Sequence, residues 1–581
     1  MAVENLITEH IDIWTSAVKT KSTSGRGSSN KLELYGVKKL RELILELAVR
    51  GKLVPQDPND EPASVLLERI AQEKAQLVKE KKIKKPRKYE PIDDNSLPFN
   101  IPSSWKWARI EDLGHDLGQK KPDKTFTYVD VGSINKELGY IDEPSILEHS
   151  EAPSRARKLV QKNTVIYSTV RPYLLNIAVI DRDFNPEPIA STAFAIIHPL
   201  SGISSSYIYR YLRSPSFIEY VESVQTGIAY PAINDKQFFF GLIPVPPSAE
   251  QRRIVAKVDE LMALCDQLEQ QTEASIEAHQ VLVTTLLDTL TNSADADELM
   301  QNWARISEHF DTLFTTEENI DQLKQTILQL AVMGKLVPQD PSDEPAAELL
   351  KRIAEEKAQL VKEKKIKKEN ALPPISEDEK PFELPIGWEW CRLSDISNVI
   401  DPNPSHRMPK YVEDGIPFIS TENFVGDEEI DFRIGKKVMP DVLESQISKF
   451  DLTHGAFAMS RIGTIGKTRF LPSDRTYCMS HALCVISPLV KSINHEYLRF
   501  VVAAESSLSQ AQHGVKSIGV PDLGMGVIRA LLIPIPPQKK QHCIVKKVGE
   551  LMMVCDQLKQ KINVKLQIQL QLTDAISDQM I

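Results

Sequence analysis

The sequence predicts a mixed α/β chain of the α+β class, with two globular domains joined by long paired antiparallel helices under an internal pseudo-two-fold repeat. Three observations predict it. Residues 40–85 return at 323–368 with 36 of 46 positions identical, a displacement of 283. A Trp-x-Trp pair follows each copy at the same displacement, Trp105 and Trp107 in the first, Trp388 and Trp390 in the second. After about 140 divergent residues the halves converge again, LIPVPPSAEQRRIVAKVDELMALCDQLEQ at 242–270 against LIPIPPQKKQHCIVKKVGELMMVCDQLKQ at 532–560, displaced by 290. Repeats on this scale mark two copies of one structural plan. The seven-residue difference between the displacements falls in the divergent middles.

Taken in order, residues 1–96 form an N-terminal helical region holding the first repeat copy. Residues 1–19 read as helix and TKSTSGRGSSNK (20–31) as a Gly/Ser-rich linker. The opening ITEHIDIW (7–14) echoes ISEHFDTLF (306–314). Each repeat copy is an apolar helix end, a Gly-Lys-Leu-Val-Pro break (Gly51 to Pro55, Gly334 to Pro338) and a second helix running into a lysine-rich tail. The tail VKEKKIKKPRK (78–88) reads as a solvated helix end, with phosphate contact or partner docking as the alternatives. Residues 97–245 form a first variable domain, in which TYVDVGSI, NTVIYSTV, NIAVI and AFAIIHP lie between turn residues and one helix covers 206–224. Residues 246–379 carry a central long helix and the second repeat copy. Residues 380–535 repeat the domain pattern with IPFISTENF, GAFAMSRIG, KTRFLP and ALCVISP and a helix over 495–512, and 536–581 form a C-terminal long helix.

Both long helices carry a heptad stripe: Ile254, Leu261 and Leu268 with Val258 and Cys265, then Ile544, Leu551 and Leu558 with Val548, Cys555 and Ile562. Such stripes predict a packed helix pair. A helix of about 40 residues is about 60 Å long. A pseudo-two-fold across an antiparallel pair puts the two domains at opposite ends and makes the pair a ruler, on a scale to compare with the roughly 34–36 Å turn of B-DNA.

Composition is globular, with 41% hydrophobic and 26% charged residues over 581 positions, room for several cores. The chain has no run of 18 apolar residues and a polar, acidic N-terminus, so a cytoplasmic protein without membrane span or signal peptide is expected. Six cysteines do not make a disulfide scaffold in a chain of this length. Cys265 and Cys555 read as buried helix positions; Cys478 and Cys484 bracket His481 without the paired CxxC spacing of a zinc site, so no metal is expected. The net charge of −10 argues against nucleic acid until its placement is seen. Residues 246–322 hold 4 basic and 16 acidic residues, whereas 97–245 hold 15 and 16, and 380–535 hold 16 and 18. A local basic face on either domain is therefore compatible with DNA.

Catalytic motifs fail on inspection. GTIGKT (463–468) places Arg461 where a phosphate-binding loop needs its first glycine. Asp401-Pro402-Asn403-Pro404 departs at two positions from the turn an amino-methyltransferase uses, and Pro440-Asp441…Glu444-Ser445-Gln446 lacks the terminal lysine of a nuclease. No G-x-S-x-G elbow or HExxH motif occurs. The chain reads as non-catalytic. Polar and basic loops interleaved with aromatics remain as candidate DNA-binding residues. In the first domain they are Lys120, Lys121 and Lys124, then Ser168, Thr169, Arg171 and Tyr173, then Tyr230, Asn234 and Lys236. In the second they are Asn403, His406 and Arg407, then Ser460, Arg461, Thr464 and Lys467, then His481, His513 and Lys516. Arginine and lysine reach guanine O6/N7, asparagine pairs with adenine N6/N7, and hydroxyls serve either.

The whole plan resembles the specificity (S) subunit of type I restriction-modification enzymes. The resemblance rests on the Pro-(Ser/Ile)-x-Trp-x-Trp motifs at 101–107 and 385–390, the YSTVRPYLLNIAV segment from Tyr167 with its counterpart MSRIGTIGK from Met459, and the Pro-rich exits into Q..IV.KV.ELM. It implies two target recognition domains, each reading half of a split DNA sequence, and an antiparallel helix pair that fixes the gap. It also implies two modification subunits, which carry S-adenosylmethionine and methylate adenine N6, docked on the duplicated segments, and two ATP- and Mg-dependent restriction and translocation subunits. This chain itself would bind no cofactor. The charged helix pair before each domain is longer than the minimal plan needs. The rival reading is a coiled-coil scaffold binding proteins through two related domains. On the DNA reading, Arg171→Ala and Arg461→Ala each weaken or relax one half-site only, by about 1–3 kcal/mol, as a binding assay on base-substituted duplexes would show.

Overall fold

The computed structural model describes residues 8–20, 32–294, 296–368, 371–404, 408–426, 428–448, 452, 454–515 and 520–581. They divide into two compact units, one of residues 1–275 with 565–581 and one of residues 276–564.

In the first unit, Leu40, Leu43, Ile44 and Leu47 recur at helical spacing and are buried, which makes α1 (Tyr35–Val49) an amphipathic helix with its apolar stripe inward. Gly51 ends it in the left-handed region (φ 70°), and Lys52 N–H donates back to the Leu47 carbonyl at 2.9 Å, closing the helix terminus. The chain turns through the Leu-Val-Pro break into α2 (Ala63–Lys79).

The variable domain opens on β1 (Lys106–Arg109) and continues through β2 (Gly114–His115), β3 (Phe126–Val129), β4 (Ser145–Leu147), β5 (Ala156–Leu159), β6 (Val165–Ser168), β7 (Ile177–Val179), β8 (Pro188–Ser191), β9 (Phe194–Pro199) and β10 (Leu242–Val245). These make two four-stranded sheets, β2-β9-β6-β7 and β4-β3-β8-β5, and a two-stranded closure in which β10 pairs antiparallel with β1. Val129, Ile166, Ala178, Ala190, Phe194 and Ile196 form one core drawn from both sheets. From the closure runs α3 (Ser248–Thr291), whose Ile254, Val258, Leu261 and Cys265 are buried, the expected stripe.

The second unit repeats the plan: α4 (Glu317–Val332), α5 (Ala346–Lys362), then β11 (Glu389–Arg392), β12 (Ser397–Ile400), β13 (Tyr411–Val412), β14 (Ile416–Ile419), β15 (Lys436–Val438), β16 (Phe457–Ser460), β17 (Thr468–Phe470), β18 (Cys478–Met479), β19 (Leu483–Pro488) and β20 (Leu532–Ile535), then α6 (Gln538–Met580). The sheet β12-β19-β16-β17 has the order of its counterpart. The other sheet keeps the parallel pair, β14 on β18 as β3 on β8, but runs β13-β15-β14-β18. Its extra edge strand, β13, precedes the parallel pair in the chain, and the segment after β15 forms a helix, Pro440–Ile447, where the first domain has β5.

Contacts inside each unit repeat across the displacement. Arg41 on α1 pairs with Asp266 on α3 at 2.7 Å, and Lys324 on α4 pairs with Asp556 on α6 at 2.7 Å. Lys52 Nζ donates to the Ile581 carbonyl at the end of α6, and Lys335 Nζ to the Thr291 carbonyl at the end of α3, cations placed at helix C-termini. In the first unit Tyr35 bonds Asp574, and Arg253 bonds Asp60. The α6 end therefore runs parallel to α1 and α3 antiparallel to it, so the long helices oppose each other in direction there.

Two expected helices are broken. Residues 206–224 form Ser205–Leu212 and Pro215–Val224, because Pro215 has no N–H to continue the first helix and Ser214 caps the second. Residues 495–512 form His495–Ala503 and Glu505–His513, parted by an extended Ala504 (ψ 153°). At the N-terminus the helix Ile11–Ser16 ends short of residue 19, and Lys19–Thr20 is a strand paired with Leu32–Glu33. The rest of the expected Gly/Ser linker, 21–31, lies outside the described residues.

A Cβ on Gly51 would lie 2.5 Å from Pro102 Cγ, and one on Gly334 2.6 Å from Pro385 Cγ, each at a φ that L side chains resist. Gly51→Ala and Gly334→Ala are each expected to destabilise the protein by about 1–3 kcal/mol, measured by urea denaturation.

Candidate nucleic-acid interface

The hairpin between β6 and β7 is knitted to the segment that follows the second short helix of the domain. Arg171 N–H donates to the Pro231 carbonyl at 2.8 Å, and Ile233 N–H to the Thr169 carbonyl at 2.9 Å. Arg171 holds a left-handed backbone (φ 50°), and its guanidinium lies 4.7 Å from the centre of the Tyr230 ring. Tyr173 and Tyr230 are exposed at 52% and 68%. Asn234 caps the short helix Asp235–Phe240, accepting from Gln237 N–H at 2.9 Å, and Lys236 on its first turn is exposed. Arg171, Tyr173, Tyr230, Asn234 and Lys236 thus belong to one pair of stitched loops.

The second domain builds the same stitching between β16 and β17. Gly463 N–H donates to the Pro521 carbonyl at 2.9 Å, and Leu523 N–H to the Arg461 carbonyl at 2.9 Å. Thr464 and Lys467 project from this loop into solvent. Backbone register makes Gly463 the equivalent of Arg171 and Arg461 the equivalent of Thr169, since Thr169 and Arg461 N–H both reach an alanine carbonyl (Ala193, Ala482) at 2.9 Å.

That register corrects four of the expected DNA-facing positions. Ser168, Thr169, Ser460 and Arg461 are buried, not on the face. Ser168 and Thr169 hydroxyls donate to the Val170 and Ala193 carbonyls, and Ser460 Oγ accepts from Lys467 N–H at 2.9 Å. Arg461 is 2% exposed and pairs with Asp401 at 3.2 Å and Asp522 at 3.3 Å, with a further bond to the Leu523 carbonyl. A buried guanidinium stays charged, so the two carboxylates and the carbonyl are what make its burial tolerable. Asn403 lies on the turn that presents Asp401, donating its N–H to Asp401 Oδ1 at 2.9 Å.

Lys120, Lys121 and Lys124 occupy a different loop, beside β5 and β3. Lys120 is bound by Glu187 at 2.9 Å and Asp123 at 3.0 Å, and these hydrogen bonds raise its pKa; Lys121 and Lys124 are exposed. His481 is half-buried after β18, and His513 ends a helix with its ring against the Ser509 carbonyl. His406, Arg407 and Lys516 lie outside the described residues. Reading the sequence for polar groups missed Leu174 and Ile228, exposed apolar side chains on the same stitched loops as Tyr173 and Tyr230. Gly227 (φ 95°) and Pro231 around Ile228 were the available signal of a presented turn. Such side chains fit a thymine methyl.

Among the described residues no group of His, Cys, Asp and Glu is placed to hold a metal ion, and no helix is long and apolar enough to cross a membrane. Burial pushes the Cys478 thiol up to about 11 and that of Cys484 to about 12.

One loop scaffold is carried twice with different side chains. The family model of the type I restriction modification DNA specificity domain matches residues 102–278 and again 385–567, and the chain belongs to that family. It is 42% identical to the type I restriction enzyme EcoAI specificity subunit of Escherichia coli over 592 residues, covering 100% of this chain and 99% of the relative. With the EcoEI specificity subunit of the same organism identity is 40% over 611 residues, again 100% and 99%. Among solved structures, the HsdS subunit from Thermoanaerobacter tengcongensis is 21% identical with a TM-score of 0.39, over 83% of this chain and 98% of that one.

Arg461→Ala is expected to act on stability, removing a buried ion-pair partner of Asp401 and Asp522 at a cost of about 3–5 kcal/mol. Arg171→Ala should stay within about 1 kcal/mol of the parent, the scale of an exposed cation–π contact. Thermal denaturation of both variants checks the pair.

Proposed function

We propose that the chain is the non-catalytic subunit that selects DNA sequence for a type I restriction-modification complex. Each variable domain reads one half of a split double-stranded target through its stitched loops, and the helices that join the domains set the length of the unread gap. Two modification subunits, carrying S-adenosylmethionine, methylate adenine in the selected site; two restriction subunits, using ATP and Mg, translocate and cleave. The chain binds none of these cofactors itself.

One observation carries this reading. The two domains hold their loops by the same backbone bonds, Arg171 to Pro231 and Gly463 to Pro521, yet present different side chains on them. A constant scaffold with variable groups is what two base sequences require of one design. Contacts to base edges supply the discrimination. The names of the relatives, specificity subunits of type I restriction enzymes, support the partner set.

The test is a map of methylated adenines in a genome with and without this chain, beside an active modification subunit. A split motif with a constant gap that vanishes on deletion is the expected outcome. Identical maps would favour the protein-scaffold alternative.

A further inference from the structure

The lysine-rich tails are identical in the two repeat copies over 79–85 and 362–368 and expose every lysine they hold. In the first copy Lys81, Lys82, Lys84, Lys85, Arg87 and Lys88 are all exposed. The second copy exposes Lys364, Lys365, Lys367 and Lys368. Each tail leaves its helix through a lysine in the left-handed region, Lys81 at φ 57° and Lys364 at φ 59°. Within these tails the acidic partners are Glu80, paired with Lys82, and Glu363, paired with Lys365, each at 2.8 Å, so a strong positive excess remains.

The tails are pinned to the variable domains, not loose. Before the first tail, the buried Lys74 ammonium donates to the Glu111 carbonyl and to that of Gly114 at 3.1 Å. Within it, Arg87 N–H donates to Glu111 Oε1 at 3.2 Å. Beyond it, Arg109 holds the Glu90 carbonyl at 3.1 Å and, with its other nitrogen, the Phe240 carbonyl at 3.1 Å. The second copy repeats the clamp: Lys357 to the Ser394 carbonyl at 2.5 Å, and Arg392 to the carbonyls of Pro373 and Ala530 at 3.2 and 3.1 Å. Phe240 and Ala530 close the six-residue helices that start at the stitched loops. The segment after each basic run is therefore tied, through Arg109 or Arg392, to the end of the short helix that starts at the stitched loops.

We propose that the two tails are sequence-independent phosphate clamps, holding the DNA backbone beside each half-site. This inference rests on the DNA-reading function above. Residues that read different bases must differ between the halves; residues that meet the phosphodiester backbone meet the same ligand twice. The tails are identical where the domains diverge. They also carry local positive charge, on segments tied to the variable domains, in a chain whose net charge is negative.

The test uses the full chain assembled with its modification partner, comparing the parent with Lys81→Gln, Lys82→Gln, Lys84→Gln and Lys85→Gln combined, and with the same four positions as Arg. Binding is titrated against salt on a duplex carrying the mapped motif and on one without it. The Gln variant should lower the slope of log K against log salt by roughly 2–4, about 0.9 for each phosphate that the removed charges had neutralised. It should weaken both duplexes alike and leave the methylated motif unchanged; the Arg variant should behave as the parent. An unaltered slope and affinity for the Gln variant would overturn the clamp, and if the partner subunit dissociated instead, the tails would be docking an acidic protein surface. A parent complex that binds neither duplex would sink the DNA-reading function itself, a distinguishable failure.

Discussion

The first indole N–H of each Trp-x-Trp pair finds its acceptor in the repeated helical frame. Trp105 donates to Glu250 at 3.0 Å and Trp388 to Gln339 at 2.9 Å. These bonds fix where the opening strand of each variable domain leaves the frame. The pairing of β1 with β10 and of β11 with β20 then returns the chain to the start of a long helix. Tyr207 and Tyr497 lock the same closure, donating to the Pro244 and Pro534 carbonyls at 2.7 and 2.8 Å. The two solutions differ in charge. In the first unit the acceptor is a carboxylate from α3, bridged by Gln56, and burial raises the Glu250 pKa despite the bonds it accepts. In the second unit Lys540 takes that place and turns to the Pro338 carbonyl.

Much of this was legible in the sequence because it is carried by repetition and local pattern. The displacements of 283 and 290 located the helices, and the structure adds that they also relate the pair Arg41–Asp266 to the pair Lys324–Asp556. Apolar runs located the long strands, but Ser145–Leu147 and Lys436–Val438 are too short to show an alternation. The change of edge strand between the two sheets leaves no local trace. Pro215 announces one helix break, whereas Ala504 has no such signal.

The site was legible only in outline. Setting the segment from Tyr167 beside its counterpart from Met459 pairs Thr169 with Arg461, the register that the backbone bonds keep, but it does not tell which of these positions is buried. Whether an arginine faces solvent depended on Asp401, 60 residues away in the chain, which no spacing rule supplies. Ser168 and Ser460 were mistaken for surface groups because strand ends and loop starts look alike in a polar sequence; their hydroxyls serve the backbone instead.

A constant frame is joined to two variable faces, with charge segregated to match. Acidic residues crowd the central helical stretch, and the basic tails run into segments tied to the variable domains. The central claim is that each domain reads its half independently of the other. The direct measurement is an adenine-methylation map of a chain in which residues 380–535 are replaced by a second copy of 97–245, supplied with the same modification partner. Independent reading predicts an inverted repeat of the half-site read by the first domain, separated by a constant gap. An unchanged motif, or methylation at unrelated sequences by a fully assembled complex, would contradict it.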